Sequence, residues 1–181
     1  MHKGFTIIEI LIAMFIFIVI AGAAVSLFIS SLASQRYVLS SQRLADEVSL
    51  FMESLSRALR EAQRDSGGGC LAANYNYEEF VAPGPGIKFL TKESQCREIA
   101  LLADQRIYER IDFGTWNALT SEGISIENLE FNLIGQEGGA TDNMQPRVTA
   151  LVEAVAKNFP GGGPPRIKLQ TTISQRDLDE P

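Results

Sequence analysis

The spacing of hydrophobic residues changes twice along the chain and divides it into three parts. The first part contains an almost unbroken apolar run, residues 10–29, in which Ser26 has the one polar side chain. A helix of this length reaches roughly 30 Å, the thickness of the hydrocarbon core of a bilayer. The run therefore predicts a membrane-spanning helix close to the N-terminus.

The second part, residues 34–64, contains neither proline nor glycine and predicts that the helix continues. Its apolar residues recur at intervals of three and four positions, as on one face of an α-helix. They are Leu44, Val48, Phe51, Met52, Leu55, Leu59 and Ala62. Most other positions are polar or charged, so the pattern predicts an amphipathic helix that the glycines at 67–69 terminate.

In the third part, residues 65–181, the apolar positions alternate with a period of two, which is typical of strands. The alternating segments are 87–90, 99–103, 107–113, 124–133, 148–156 and 167–173. A change of phase at Glu127 and Asn128 predicts a β-bulge. We expect an antiparallel sheet whose apolar face is covered by the helical stripe, which is an α+β fold.

Length and charge limit what this chain can be. Its 181 residues suffice for one anchor and one modest domain. The formal net charge is −6, and residues 65–181 hold ten Lys and Arg against seventeen Asp and Glu. Because phosphate backbones would be repelled by this region, we expect no nucleic-acid partner.

The residues around the apolar run leave three alternatives for processing. Ala21-Gly22-Ala23 has the form of a site at which secretory signals are cut, and cleavage there would release a soluble region that begins near Ala24. An anchor that is never cut is the second alternative. Cleavage ahead of the run, after Gly4, is the third and would keep the whole helix.

The segment Lys3-Gly-Phe-Thr-Ile-Ile-Glu9 favours the third alternative, because it resembles the prepilin motif of type IV pilins and type II secretion pseudopilins. The resemblance implies a leader of residues 1–4, removed by a prepilin peptidase after Gly4, and N-methylation of Phe5. It also implies a pilin-like fold in which residues 5–33 form the transmembrane and filament-core helix. The resemblance is firm over residues 1–64 and looser over residues 119–135 and 167–176.

Glu9 is the acidic position of that motif, and its chemistry indicates a role in assembly. An unpaired carboxylate near the apolar core of a membrane costs roughly 2.5–3.5 kcal/mol, so a partner is needed. A new α-amine at Phe5, with a pKa of about 8, would be positive at neutral pH. We expect the amine of one subunit to neutralise Glu9 of its neighbour. The alternative is that Glu9 lies in the headgroup layer and contacts water.

The N-terminal charge and the cysteines indicate where the C-terminal region resides. Lys3 precedes the apolar run, and positive flanks stay on the cytoplasmic side, so residues 65–181 are expected outside the inner membrane. Cys70 and Cys96 both fall in this exported region, where an even pair predicts a disulfide that closes a loop of about 26 residues. Two free buried thiols are the alternative.

The sequence offers no catalytic constellation and predicts neither an enzyme nor a cofactor. The single histidine is His2, which lies in the predicted leader. Asp104, Glu109 and Asp112 are conceivable calcium ligands, but they lack the spacing of an EF-hand. We expect no metal site and interpret these carboxylates as a solvated acidic surface.

The function that the sequence favours is that of a structural subunit, a minor pilin of a type IV pilus-like filament. Its expected partners are a prepilin peptidase, other pilin or pseudopilin subunits, an inner-membrane assembly platform, and the membrane itself before assembly. The expected final location is an extracellular or periplasmic filament. A minor pseudopilin of a type II secretion system is the alternative, and neighbouring genes would discriminate between the two.

A membrane-anchored binding module is a hypothesis of a different class. In that case the β-rich region would recognise a surface, polysaccharide or protein, and polymerisation would be incidental. Four aromatic residues would then be expected to lie exposed together: Tyr75, Tyr77, Phe80 and Trp116.

Overall fold

The computed structural model describes residues 4, 6–138, 144–160 and 163–176. These residues form one long helix, α1 (Ile7–Arg60), followed by strands only. The strands are β1 (Glu78–Phe80), β2 (Gly86–Leu90), β3 (Cys96–Leu101), β4 (Ile107–Ile111), β5 (Asn117–Ala118), β6 (Ile124–Ile134), β7 (Arg147–Ala156) and β8 (Arg166–Ser174). The chain divides into two compact units, Met1–Leu39 and Ser40–Pro181.

From Ile7 onward, the first unit is helix with a largely apolar surface. Large hydrophobic side chains between Ile7 and Ile29 are all more than half exposed, and Ile7 reaches 81%. The most apolar window of this helix has a mean hydropathy of 2.9, with none of it buried. By length and composition, the helix is therefore long and apolar enough to cross a membrane.

In the second unit, the remainder of α1 packs against the strands through the predicted stripe. All seven apolar residues of that stripe, from Leu44 to Ala62, are buried, and they belong to one hydrophobic core. The charged positions between them face outward, as Glu53, Arg57 and Arg60 show. The predicted amphipathic helix and the α+β fold are thus confirmed.

The first five strands form an antiparallel sheet in which each strand pairs with the next along the chain. The register of the central pair places Ile87 opposite Ile99, and both side chains are buried in the core shared with α1. At β4, Ile107 extends the same buried face. The edges are short: β1 has three residues and β5 has two.

Strands β6, β7 and β8 form a separate antiparallel sheet of three strands. The register shifts between Ile126 and Asn128, so Glu127 has no partner on β7, and the predicted bulge is confirmed. After the bulge Leu129 points inward, opposite Val152, and both are buried in the same core as the helical stripe. Leu169 and Ile173 of β8 continue that face.

Three predictions about the fold need correction. The single expected sheet is two sheets, because alternation assigns each side chain to a face but does not say which strands pair. Phe113, predicted to end a strand, lies in a turn after β4 with a φ of 58°. The helix ends at Arg60 rather than Arg64, since Gln63 already pairs with Leu90 in an isolated bridge.

Candidate functional site

The predicted cleavage site lies just ahead of α1 and is accessible. Gly4 is exposed, and a Cβ atom built on it would meet nothing within 4 Å. Packing within this chain therefore does not require glycine at position 4. Phe5, the predicted mature N-terminus, lies outside the described residues. Any requirement for glycine at position 4 would come from a molecule that binds this segment.

The helix begins with hydrogen bonds between Thr6 and Glu9, which the sequence analysis did not predict. The amides of Glu9 and Ile10 donate to the carbonyl of Thr6, at 3.1 and 3.3 Å, which places Thr6 at the N-cap. The carboxylate of Glu9 reaches back toward the amide of Thr6, with 3.5 Å between Oε2 and N. The return of Glu9 to the N-cap amide is one of the two hydrogen bonds of a capping box, and the spacing Thr-x-x-Glu was its signal.

The carboxylate of Glu9 therefore has a weak partner of its own in the isolated chain. A distance of 3.5 Å is at the long limit for a hydrogen bond, and the side chain stays exposed. Farther along the helix, the hydroxyl of Ser26 donates to the carbonyl of Gly22 at 3.0 Å, so that polar group is satisfied internally. Between Ile7 and Ile29, Glu9 is the one charged side chain.

The start of the chain matches a known family model. The family is described as the prokaryotic N-terminal methylation motif, and residues 1–25 are matched. The chain carries the type IV pilin and pseudopilin signature. No significant match exists among curated proteins or among solved structures.

The signature supports a broad assignment of the chain. It supports a type IV pilin or pseudopilin, and proteins that carry it are structural subunits rather than enzymes. It implies processing by a prepilin peptidase and assembly with other pilin subunits. A single apolar helix at the N-terminus, together with this signature, fits a membrane-anchored protein with a C-terminal domain.

In the C-terminal unit, a disulfide and a buried carboxylate fix the connection between α1 and β1. Cys70 and Cys96 are joined by a disulfide, so the predicted disulfide is confirmed and the alternative of two free thiols is wrong. Asp65 is buried and accepts four backbone N–H bonds, from Gly67 and Gly68 on one oxygen and from Cys70 and Leu71 on the other, at 2.7–3.0 Å. Together they hold residues 65–71 in one conformation.

The pKa of Asp65 reflects this environment. Burial of the carboxyl would raise its pKa, but the four backbone N–H groups favour the charged form more strongly and leave the pKa below its ordinary value of 3.8. The carboxylate is thus the form that the loop stabilises. No sequence pattern identified this role, because the donors are backbone groups of a loop.

The four aromatic residues of the binding hypothesis do not form one exposed surface. Tyr77 is fully buried in the core, and its hydroxyl donates to the carbonyl of Leu59 at 2.7 Å. Burial raises the pKa of Tyr77 well above its ordinary range. Tyr75 and Phe80 are half-buried, and Tyr75 packs beside the disulfide. The binding hypothesis therefore loses the feature that motivated it.

Trp116 has a local structural partner. The guanidinium of Arg110 lies 4.7 Å from the centre of the Trp116 ring and 5.8 Å from that of Phe113. Arg110 also pairs with the buried carboxylate of Glu98, which raises the pKa of Arg110. The ring of Trp116 thus packs against the cation of a partly buried ion pair, where the aromatic face stabilises the positive charge.

The acidic residues considered as calcium ligands are each bound to a group of this chain. Asp104 accepts from the hydroxyl of Tyr108 at 2.6 Å, Glu109 from Arg97 at 2.7 Å, and Asp112 from the amide of Cys96 at 2.8 Å. Among the described residues, no group of three or more His, Cys, Asp or Glu side chains could hold a metal ion.

Proposed function

We propose that this chain is a minor pilin, a structural subunit of a type IV pilus-like filament. A prepilin peptidase cuts after Gly4, Phe5 becomes the N-methylated N-terminus, and the apolar helix leaves the membrane to pack among helices of other subunits. An inner-membrane platform carries out the transfer. The C-terminal region lies outside the inner membrane at every stage.

One observation carries this proposal: the methylation motif matched at residues 1–25 includes the first turns of a helix whose apolar surface is uncovered. A soluble protein rarely leaves so large an apolar surface exposed. Lipid before assembly and neighbouring apolar helices after assembly would each cover it. A filament subunit needs both environments in turn, and a permanent anchor needs only the first.

The position of Glu9 supports a role in pairing subunits. Its own partner, the amide of Thr6, is neutral and distant, so a cationic amine at hydrogen-bond distance would be a better one. Cleavage after Gly4 creates such an amine four residues ahead of Glu9. In the filament, we propose that the amine of one subunit pairs with Glu9 of the next, which sets their register.

The test separates the charge of Glu9 from its role in the cap. Glu9→Gln keeps an amide oxygen for the capping box, because glutamine also serves at this position, but it removes the negative charge. Glu9→Leu removes both. We expect both variants to enter the membrane and to be cleaved as the wild type is. Incorporation into filaments should fall at least about tenfold in both, since a charge-assisted hydrogen bond is worth about 1.5–3 kcal/mol.

Asp46→Asn provides the matched control, because it removes an exposed carboxylate from the same helix within the C-terminal unit. Incorporation is measured as the fraction of the protein in sheared, pelleted filaments, and cleavage as the change in mass of the membrane-bound form. Normal incorporation of Glu9→Gln would contradict the pairing. Loss of cleavage would assign Glu9 to recognition by the peptidase instead.

The assignment to a minor pilin rests on the size and irregularity of the C-terminal region. Residues 61–77 and 112–116 contain no strand of either sheet, and such connections suit a low-copy subunit better than a uniform shaft. A minor pseudopilin fits the same signature. A gene for a retraction ATPase beside this one favours the pilus, whereas genes for an outer-membrane secretin and secretion components favour the pseudopilin.

A further inference from the structure

Basic side chains gather in one cleft of the C-terminal unit, although the chain as a whole has a net charge of −6. The cleft runs along the end of α1 as three adjoining cavities of about 400, 430 and 250 Å³, which share lining residues. Five cations and two carboxylates contribute to its walls. They are Arg57, Arg60, Lys92, Arg97 and Arg176, with Glu53 and Glu61. We call this set of seven residues the basic cleft.

Three separate elements bring these cations together. Arg60 is the last residue of α1, Lys92 lies in the turn between β2 and β3, and Arg176 follows β8. All three line the 250 Å³ cavity, together with Glu61. The backbone fixes part of this geometry, because the amide of Arg176 donates to the carbonyl of Arg60 at 2.9 Å. The convergence is thus a property of the fold and not of a run of basic sequence.

Two of the five cations are already neutralised, and three are not. Arg57 pairs with Glu53 at 3.0 Å, and Arg97 pairs with Glu109. In the part of the chain that the structure describes, Arg60, Lys92 and Arg176 have no ion-pair partner, and all three are exposed. A concave wall concentrates the field of such charges and attracts anions.

The structural role of these residues does not account for the whole cleft. A cation in the last turn of a helix interacts favourably with the helix dipole, which explains Arg57 and Arg60. It does not explain Lys92 or Arg176, which belong to other elements. Like charges around one cavity repel one another, so a bound anion would stabilise this arrangement.

We propose that the basic cleft is a docking site for an acidic segment of a partner protein. Carboxylates of that segment bind the cations at positions 60, 92 and 176. Glu53 and Glu61 accept hydrogen bonds from its backbone amides, and Leu50, which is 67% exposed at one end of the cleft, provides an apolar contact. This inference does not rest on the filament role of the N-terminal helix.

The mixed lining favours a peptide over a phosphate-rich surface. Glu53 and Glu61 would repel the negative phosphate group of a lipid or a free phosphate ion. A peptide offers both carboxylates and N–H groups and therefore matches both signs of charge in the walls. The concave form of the cleft also suits an extended segment better than a flat membrane.

The experiment measures binding of fluorescein-labelled hexaglutamate to the full chain in micelles of an uncharged detergent. Fluorescence anisotropy gives the affinity, with labelled hexalysine as the probe of opposite charge. We expect hexaglutamate to bind, hexalysine not to bind, and the affinity to fall as salt is added. The double variant Arg60→Gln/Arg176→Gln should lower the affinity at least about tenfold, because two charge-assisted hydrogen bonds are lost.

The control variant Arg166→Gln/Lys168→Gln removes the same number of positive charges from β8, where they pair with Glu127 and Glu153. We expect its affinity to stay within about twofold of the wild type, since its ion pairs are exposed and worth little. Both variants should keep the wild-type thermal midpoint, because all four side chains are at the surface. Equal loss of affinity in the two variants would overturn the proposal and indicate a net-charge effect.

Three further outcomes would also overturn it. Displacement of the peptide by inorganic phosphate at an equal concentration of charge would mean a site for small anions. Displacement of the peptide by the soluble headgroup glycerophosphoglycerol, but not by inorganic phosphate, would mean that the cleft is a lipid headgroup site. Binding that appears only after Asp177→Asn/Asp179→Asn/Glu180→Gln would mean that the acidic sequence following Arg176 is the occupant.

Discussion

At the scale of single residues, the side chain of Asp65 supplies hydrogen bonds that a helix or strand would otherwise provide to the backbone. The helix has ended, β1 has not begun, and the chain passes through Gly67, Gly68 and Gly69, which have little conformational preference of their own. The carboxylate accepts from four amides, of which those of Cys70 and Leu71 are buried and would otherwise be unpaired. It thereby positions Cys70 for its bond with Cys96.

We predict that Asp65→Ala destabilises the C-terminal unit by at least about 2 kcal/mol at pH 7, because buried amides lose their acceptor. Urea unfolding of the full chain in uncharged micelles, followed by the fluorescence of Trp116, measures the change. Asp46→Ala, which truncates an exposed carboxylate, should change the free energy of unfolding by less than about 0.5 kcal/mol. A similar effect of the two substitutions would contradict this account.

The pH dependence of stability follows from the same residue. Because folding lowers the pKa of Asp65 below 3.8, its contribution is fully present above about pH 4 and is lost as the pH falls through the folded-state value. The wild type should therefore lose more stability than Asp65→Ala between pH 5 and pH 2, on a scale set by about 1.4 kcal/mol per unit of pKa shift. If the free energy of unfolding changed equally with pH in the wild type and in Asp65→Ala, the four hydrogen bonds would not stabilise the charged form of Asp65.

Single residues also show where sequence reasoning ends. The importance of Glu9 was evident from the motif, and its capping partner Thr6 was predictable from a spacing of three residues. The role of Asp65 was not, because its partners are backbone amides whose positions exist only after the loop has folded. The burial of Tyr77 was missed for a similar reason, since a short segment between loops has no periodicity.

At the scale of elements, the stripe on α1 is the contact that organises the C-terminal unit. Leu55 is 1% exposed within this stripe, whereas Leu50 lies on the same helix with 67% of its surface exposed. The two side chains have the same volume and belong to the same helix, so the comparison reports mainly on burial against the sheets.

We predict that Leu55→Ala lowers the free energy of unfolding by about 3 kcal/mol, because a buried side chain is replaced by a cavity. Leu50→Ala should change it by less than about 0.5 kcal/mol, as is usual at exposed positions. The same urea titration measures both. Comparable losses at the two positions would mean that the stripe does not form the core in solution.

Helices and strands were predictable where they bury one face, because their apolar residues then recur at a regular spacing. The long strands β6, β7 and β8 alternate over nine or more residues, and the bulge at Glu127 was visible as a change of phase. Strands β1 and β5 were missed because two or three residues are too few to show alternation. The split into two sheets depends on pairing between distant segments, which local patterns do not encode.

At the scale of the whole molecule, the two units have opposite surfaces. The first exposes apolar side chains along its helix, whereas the second buries most of its apolar side chains and exposes charge. Apolar surface in water costs about 25 cal/mol per Å², so the first unit requires lipid or the apolar helices of other molecules around it. The proposed function supplies these two environments in succession.

The mature N-terminus of the protein tests the central claim most directly. N-terminal sequencing and intact mass of the membrane-bound or filament form, from cells that contain a prepilin peptidase, should give a chain that begins at Phe5 and carries one additional methyl group. A Gly4→Ala variant should lower the rate of this conversion, although the isolated chain has room for the added methyl. A mature chain that begins near Ala24, or one that keeps Met1 and still assembles, would contradict the account.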